Sequence, residues 1–142
     1  NASASAPLGL YRLGAAEPLA VGRWVAVTPP PDLAETLAAR EALPKGALLI
    51  KRVAALAPSE VCRTGAIVRL DGVRAAGAVA QDRRGRPLPR WAGCRRLRAD
   101  EVFLLNPAPD SFDSRYFGAL PRRAVVGQVV RVWPQKAPPD GR

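Results

Sequence analysis

The chain of 142 residues contains no histidine and no methionine, and its only lysines are Lys45, Lys51 and Lys136. Without histidine, neither a Ser–His–Asp nor a Cys–His catalytic arrangement can be assembled within it, and the commonest zinc ligand is missing. Two cysteines, Cys62 and Cys94, are too few for a structural zinc site. They stand either as buried free thiols or as one disulfide in an oxidising compartment. No apolar run approaches the ~18–20 residues of a membrane-spanning helix, so the expectation is a soluble, globular chain. The missing methionine leads us to expect that a segment before Asn1 has been removed, a signal or anchor segment being the natural candidate.

What is present is 48% hydrophobic residues, 15 prolines, 12 glycines and a net charge of +10 carried almost wholly by arginine. This length suits one domain with a modest core. A basic balance invites nucleic acid or an anionic membrane surface. The arginines, however, are scattered in twos, and no helix bears a continuous basic stripe, which argues against direct nucleic-acid binding.

The pattern predicts a mainly β domain of antiparallel sheets with one short helix. Short strands are expected over 8–13 and 24–28, the second ended by Pro29-Pro30-Pro31. Asp32 with Glu35 resembles a capping box and starts a helix ending near 43, before Pro44 and Gly46. Residues 48–55 read as an apolar strand with Lys51 and Arg52 at its centre. Asp71-Gly72 is a hairpin turn between 66–70 and a strand from 73, the sheet continuing over 77–81. Residues 82–86 make another turn, 87–94 look irregular, and 102–105 and 125–133 are further strands. The domain is drawn over 1–133, with 134–142 a proline-rich tail.

Three stretches could carry chemistry. Lys51, with Leu49 and Val53 on its own face, could sit desolvated; desolvation lowers an ammonium pKa and frees a neutral amine as general base. Equally, a strand lysine can snorkel from a sheet edge or pair with a carboxylate. Ser3 and Ser5 lie on one side of an extended segment stiffened by Pro7, offering a nucleophile and an oxyanion donor; an Ala/Ser-rich terminus is also a plain disordered end. Finally, Ser111-Phe112-Asp113-Ser114-Arg115-Tyr116-Phe117-Gly118 has neither helical nor strand period. Its hydroxyls and Asp–Arg pair suit either a polar turn or a scaffold holding another reactive group.

In order, these signals read Ser…Lys…SxDSRxxG, which resembles the type I signal peptidases, membrane-bound serine proteases with a Ser–Lys dyad. Ser3, Ser5 and Pro7 match the nucleophile region, although only Ala6 separates Ser5 from Pro7 where bacterial leader peptidases usually place two residues. Lys51-Arg52-Val53 matches the base strand, and Ser111, Asp113, Ser114, Arg115 and Gly118 fall on the signature loop. Closer still is the similarity to the TraF-type peptidases of conjugative transfer, in the stretch from Asn1 to Tyr11, including the shortened spacing. Gly85-Arg86-Pro87-Leu88-Pro89, Val102-Phe103-Leu104-Leu105-Asn106 and Asp113-Ser114-Arg115-Tyr116-Phe117-Gly118 also look like that subfamily.

The resemblance implies Ser5 as nucleophile, Lys51 as base, and the Ser5 amide with the Ser3 hydroxyl as oxyanion hole. It assigns Ser111 to orienting the lysine and Asp113 with Arg115 to holding that loop. It further implies a membrane anchor before Asn1, a catalytic domain on the periplasmic face of the inner membrane, and a pilin precursor as substrate, with or without cyclisation of the product. In a periplasm, Cys62 and Cys94 are expected as a disulfide, and no metal or organic cofactor is needed. The alternatives are a general leader peptidase for exported proteins, or a non-catalytic basic β domain binding DNA or scaffolding the transfer apparatus.

Overall fold

Alternation between two cores explains the architecture best at one strand. A computed structural model of the chain describes residues 10–40, 44 and 46–133. The elements run β1 (Leu10–Gly14), β2 (Trp24–Val27), α1 (Pro31–Ala39), β3 (Leu49–Leu56), β4 (Glu60–Thr64), β5 (Ile67–Leu70), β6 (Val73–Gly77), β7 (Gly93–Arg96), β8 (Glu101–Leu105), α2 (Ser114–Phe117), β9 (Leu120–Pro121) and β10 (Val125–Trp133). In β8, Val102 and Leu104 enter one hydrophobic cluster while Phe103 and Leu105 enter another. The strand is therefore apolar without interruption because both of its faces are covered.

The strands form two antiparallel sheets, one ordered β1-β10-β2-β3-β8-β9 and the other β6-β5-β4-β7. The chain passes between the two cores in β3. Its pairing with β8 shifts register between Val53 and Ala55, so Val53 opposes Leu104 while Ala55 opposes Phe103. Such an extra residue bends a strand and redirects its side chains. Before that bulge, Leu49, Lys51 and Val53 all point inward on the face of the first cluster, beneath Leu37 of α1.

The expected mainly β architecture with one short helix is what forms, with differences in detail. Helix α1 begins at Pro31, whose missing N–H suits the first turn, and no side chain caps it; Asp32 lies inside the first turn. Arg40 closes it, its N–H bonded to the Thr36 carbonyl, while residues 41–43, where the expected end fell, lie outside the described residues. Asp71 and Gly72 take positive φ of 51° and 83°, as the β5–β6 hairpin requires. The sheet does not continue over 77–81: β6 ends at Gly77, and only a Gln81–Pro87 bridge follows. The segment read as irregular ends in a strand, β7, and the segment read as aperiodic contains the helical turn α2. No helix among the described residues is long and apolar enough to cross a membrane.

Candidate active site

Lys51 is 2% exposed at the middle of β3, opposite Val25 of β2. Its amine is shielded from solvent, and Nζ donates to Ser111 Oγ at 3.2 Å. Burial is the largest influence on the amine and lowers its pKa from 10.5 to about 8. Asp113 opposes that shift and Arg115 adds to it. Because these two groups form an ion pair, their effects at Lys51 largely offset and desolvation decides the outcome.

That ion pair organises the segment carrying Ser111. Asp113, wholly buried, caps α2: Oδ1 accepts from the Arg115 backbone N–H at 3.1 Å and from Arg115 Nε at 2.7 Å. Oδ2 accepts from Arg115 Nη2 and from the Asn106 N–H, both at 2.9 Å. A bidentate, charge-assisted pair of this kind has one geometry, which a lysine could not reproduce. Arg115 then donates outward to the carbonyls of Gly77 and Pro109 at 3.0 Å and of Asn106 at 3.1 Å. One guanidinium thus ties together the end of β8, the loop before Ser111, and the second sheet.

Two further residues clamp α2, and neither is marked by sequence spacing. Arg63 of β4, 3% exposed, donates to the Arg115 carbonyl at 2.8 Å and lies 5.7 Å over the Tyr116 ring. Burial pulls its pKa below the usual arginine value. Trp91 Nε1 donates to the Ser114 carbonyl at 2.9 Å. Ser114 Oγ accepts from the Leu104 N–H at 2.9 Å, fastening the turn to β8. The Gly118 N–H closes the turn on the Ser114 carbonyl at 2.9 Å, and Arg63 and Trp91 add donors to the carbonyls that so short a helix leaves under-satisfied.

Cys62 and Cys94 face each other across β4 and β7 and form a disulfide with Cα atoms 4.0 Å apart. Their sulfurs and Glu60 lie close together, but thiols joined in a disulfide offer no thiolate to a metal. Ser3 and Ser5, the expected oxyanion donor and nucleophile, lie outside the described residues, as does the 134–142 tail. The structure therefore brings together Lys51, Ser111, Asp113 and Arg115: a buried amine with a depressed pKa, a hydroxyl on it, and an ion pair beneath.

Residues 1–133 match the model of the family described as signal peptidase, peptidase S26. The chain is 37% identical over 146 residues to a probable conjugal transfer protein TraF of Sinorhizobium fredii, covering 93% of this chain and 74% of that protein. It is 33% identical over 137 residues to a plasmid transfer protein TraF of Escherichia coli, covering 89% and 77%. Among solved structures, a signal peptidase I from Enterococcus faecalis superposes with a TM-score of 0.46 at 17% identity, over 79% of this chain and 97% of that one. The chain belongs to the signal peptidase family, peptidase S26.

Proposed function

We propose that this chain is a serine peptidase with a Ser5–Lys51 dyad that processes a pilin precursor in plasmid conjugal transfer, at the periplasmic face of the inner membrane. The observation that carries the reading is the buried Lys51 amine, its pKa lowered to about 8, with Ser111 as its hydrogen-bond partner. At pH 7 such an amine is neutral in roughly a tenth of molecules, against less than one in a thousand for a free lysine. That fraction is enough for a general base. The family membership and the TraF relatives support the same reaction class and setting.

In this mechanism the Ser5 hydroxyl attacks the scissile carbonyl while Lys51 Nζ takes its proton. The Ser5 N–H and the Ser3 hydroxyl stabilise the resulting oxyanion. Collapse expels the leaving amine, which receives the proton from Lys51, and leaves an acyl ester on Ser5. Water or a chain amine then resolves the ester, giving a linear or a cyclic product. Ser111 orients the amine, and the Asp113–Arg115 pair holds Ser111. Chain length permits the meeting: Ser5 precedes Leu10 by five residues, a reach of about 17 Å. Lys51 lies three strand spacings, about 14 Å, across the sheet from β1.

The test is to incubate the chain, with detergent or lipid, with a co-encoded pilin precursor and to weigh the product by mass spectrometry. Cleavage is expected from the wild type and none from Ser5→Ala or Lys51→Ala with the fold unchanged. Cleavage retained by either variant would overturn the assignment, and a cyclic product would be lighter than the linear one by one water.

A further inference from the structure

The motif Gly85-Arg86-Pro87-Leu88-Pro89 takes no part in the chemistry above, yet it helps to wall a groove of about 480 Å³. Val79, Leu88, Pro109, Phe112 and Tyr116 supply its apolar surface, Val79 being 60% exposed. Its charged rim is Arg40, Arg83, Arg84 and Arg86 against Asp82 and Asp110, a surplus of two positive charges (four minus two). Lys51 and Ser111 do not line it, but Asp110 and Phe112 flank Ser111 in sequence, so the segment that lines the groove also carries the hydrogen-bond partner of Lys51.

Much of this rim is fixed. Asp82 Oδ1 accepts from the N–H groups of Arg84 and Arg86, and its Oδ2 pairs with Arg40 at 2.9 Å and Arg86 at 2.8 Å. Arg40 also donates to the Pro87 carbonyl and stands 5.9 Å over the Phe112 ring, joining the end of α1 to the floor. Arg83 differs: its bond to Asp110 is 3.5 Å long, with the two side chains 91% and 72% exposed. An exposed pair at that distance is weak, so Arg83 can exchange Asp110 for another carboxylate at little cost.

We propose that this groove binds an acidic segment of the polypeptide substrate outside the scissile bond. An aromatic or branched side chain lies against Val79, Leu88 and Phe112, and a Glu or Asp carboxylate takes the place of Asp110 on Arg83. The substrate's identity rests on the peptidase reading, but the binding site does not require that cleavage occur. The groove would make this face a specificity determinant, raising affinity for acidic precursors and leaving the bond-breaking step alone.

The test uses the full chain carrying Ser5→Ala and two synthetic decapeptides, one with two glutamates flanking a phenylalanine and the other its glutamine twin. Binding is read by calorimetry in low salt. The acidic peptide is expected to bind about 3–5-fold more tightly than its twin, the range an exposed ion pair contributes. Arg83→Glu and Phe112→Ala should each remove most of the difference. Arg69→Glu, an exposed site on β5 outside the groove, makes the same charge change and should leave binding intact. In the active chain, Arg83→Glu should raise KM for an acidic substrate with kcat unchanged. Equal binding of the two peptides, equal loss in Arg69→Glu, or displacement of the acidic peptide by equimolar duplex DNA would overturn the groove. Cleavage surviving Ser5→Ala would instead overturn the peptidase reading and leave these binding results standing.

Discussion

Asp113 accepts four hydrogen bonds through two oxygens that no solvent reaches, three of them from Arg115. Taking the charge from one partner of a buried pair leaves the other uncompensated, which costs about 3–5 kcal/mol. Asp113→Asn should therefore lower unfolding free energy by that order in a urea titration. It should also move Lys51: the Asp113 charge raises the amine's pKa, so its loss sends that pKa further below 8 and shifts the alkaline-rising limb of activity to lower pH. An unmoved limb would mean that the pair does not act on the lysine. At this scale the sequence was informative where residues are neighbours. The Asp-x-Arg spacing could be read because its bonds are local, and the inward face of Lys51 because Leu49 and Val53 alternate with it. Arg63 and Trp91 escaped notice because they meet α2 only through tertiary packing, at carbonyls that carry no side-chain signature.

Among the elements, β10 and β3 emerged near their expected limits because their apolar residues leave no other period. Strand β4 was missed: of its inward positions Val61 is apolar but Arg63 is a charge, buried only because main-chain carbonyls receive it. Strand β7 is exposed throughout and shows no hydrophobic pattern at all. Helix α2 is one turn long, shorter than any period, and rests on its Asp113 cap and its docking to β8. Gly127 is a further case. A Cβ there would stand 2.5 Å from the Gly14 carbonyl oxygen and 2.6 Å from Leu13 Cγ, where β1 crosses the irregular pairing of β10. Backbone cannot yield as a flexible side chain can, so Gly127→Ala should cost about 1–3 kcal/mol in thermal or denaturant unfolding. A neutral result would show that β1 can move away from β10.

At the scale of the molecule, the two sheets meet along β3 and β8, and the support for the lysine comes from both. The disulfide closes 32 residues of the second sheet and sits beside Arg63 on one strand, with Trp91 shortly before the other. Loop-closure entropy assigns a bridge of that span about 3–4 kcal/mol. The paired variant Cys62→Ser with Cys94→Ser should lose stability of that order, whereas unchanged stability would mean that the sheet holds without its staple. The antiparallel β architecture was legible from turns and alternation, but the passage of β3 from one core to the other was not, since a bulge leaves no mark in hydrophobicity.

The proposed catalysis depends on the state of one amine, that of Lys51. Its most direct test is the pH dependence of kcat/KM for cleavage of the pilin precursor, followed from pH 6 to 11. With Lys51 as the essential base, the rate should climb through a single limb near pH 8, where burial has set the amine. It should vanish at every pH in Lys51→Ala. A limb at about 10.4, the value of a free lysine, or a limb that survives in Lys51→Ala, would contradict it.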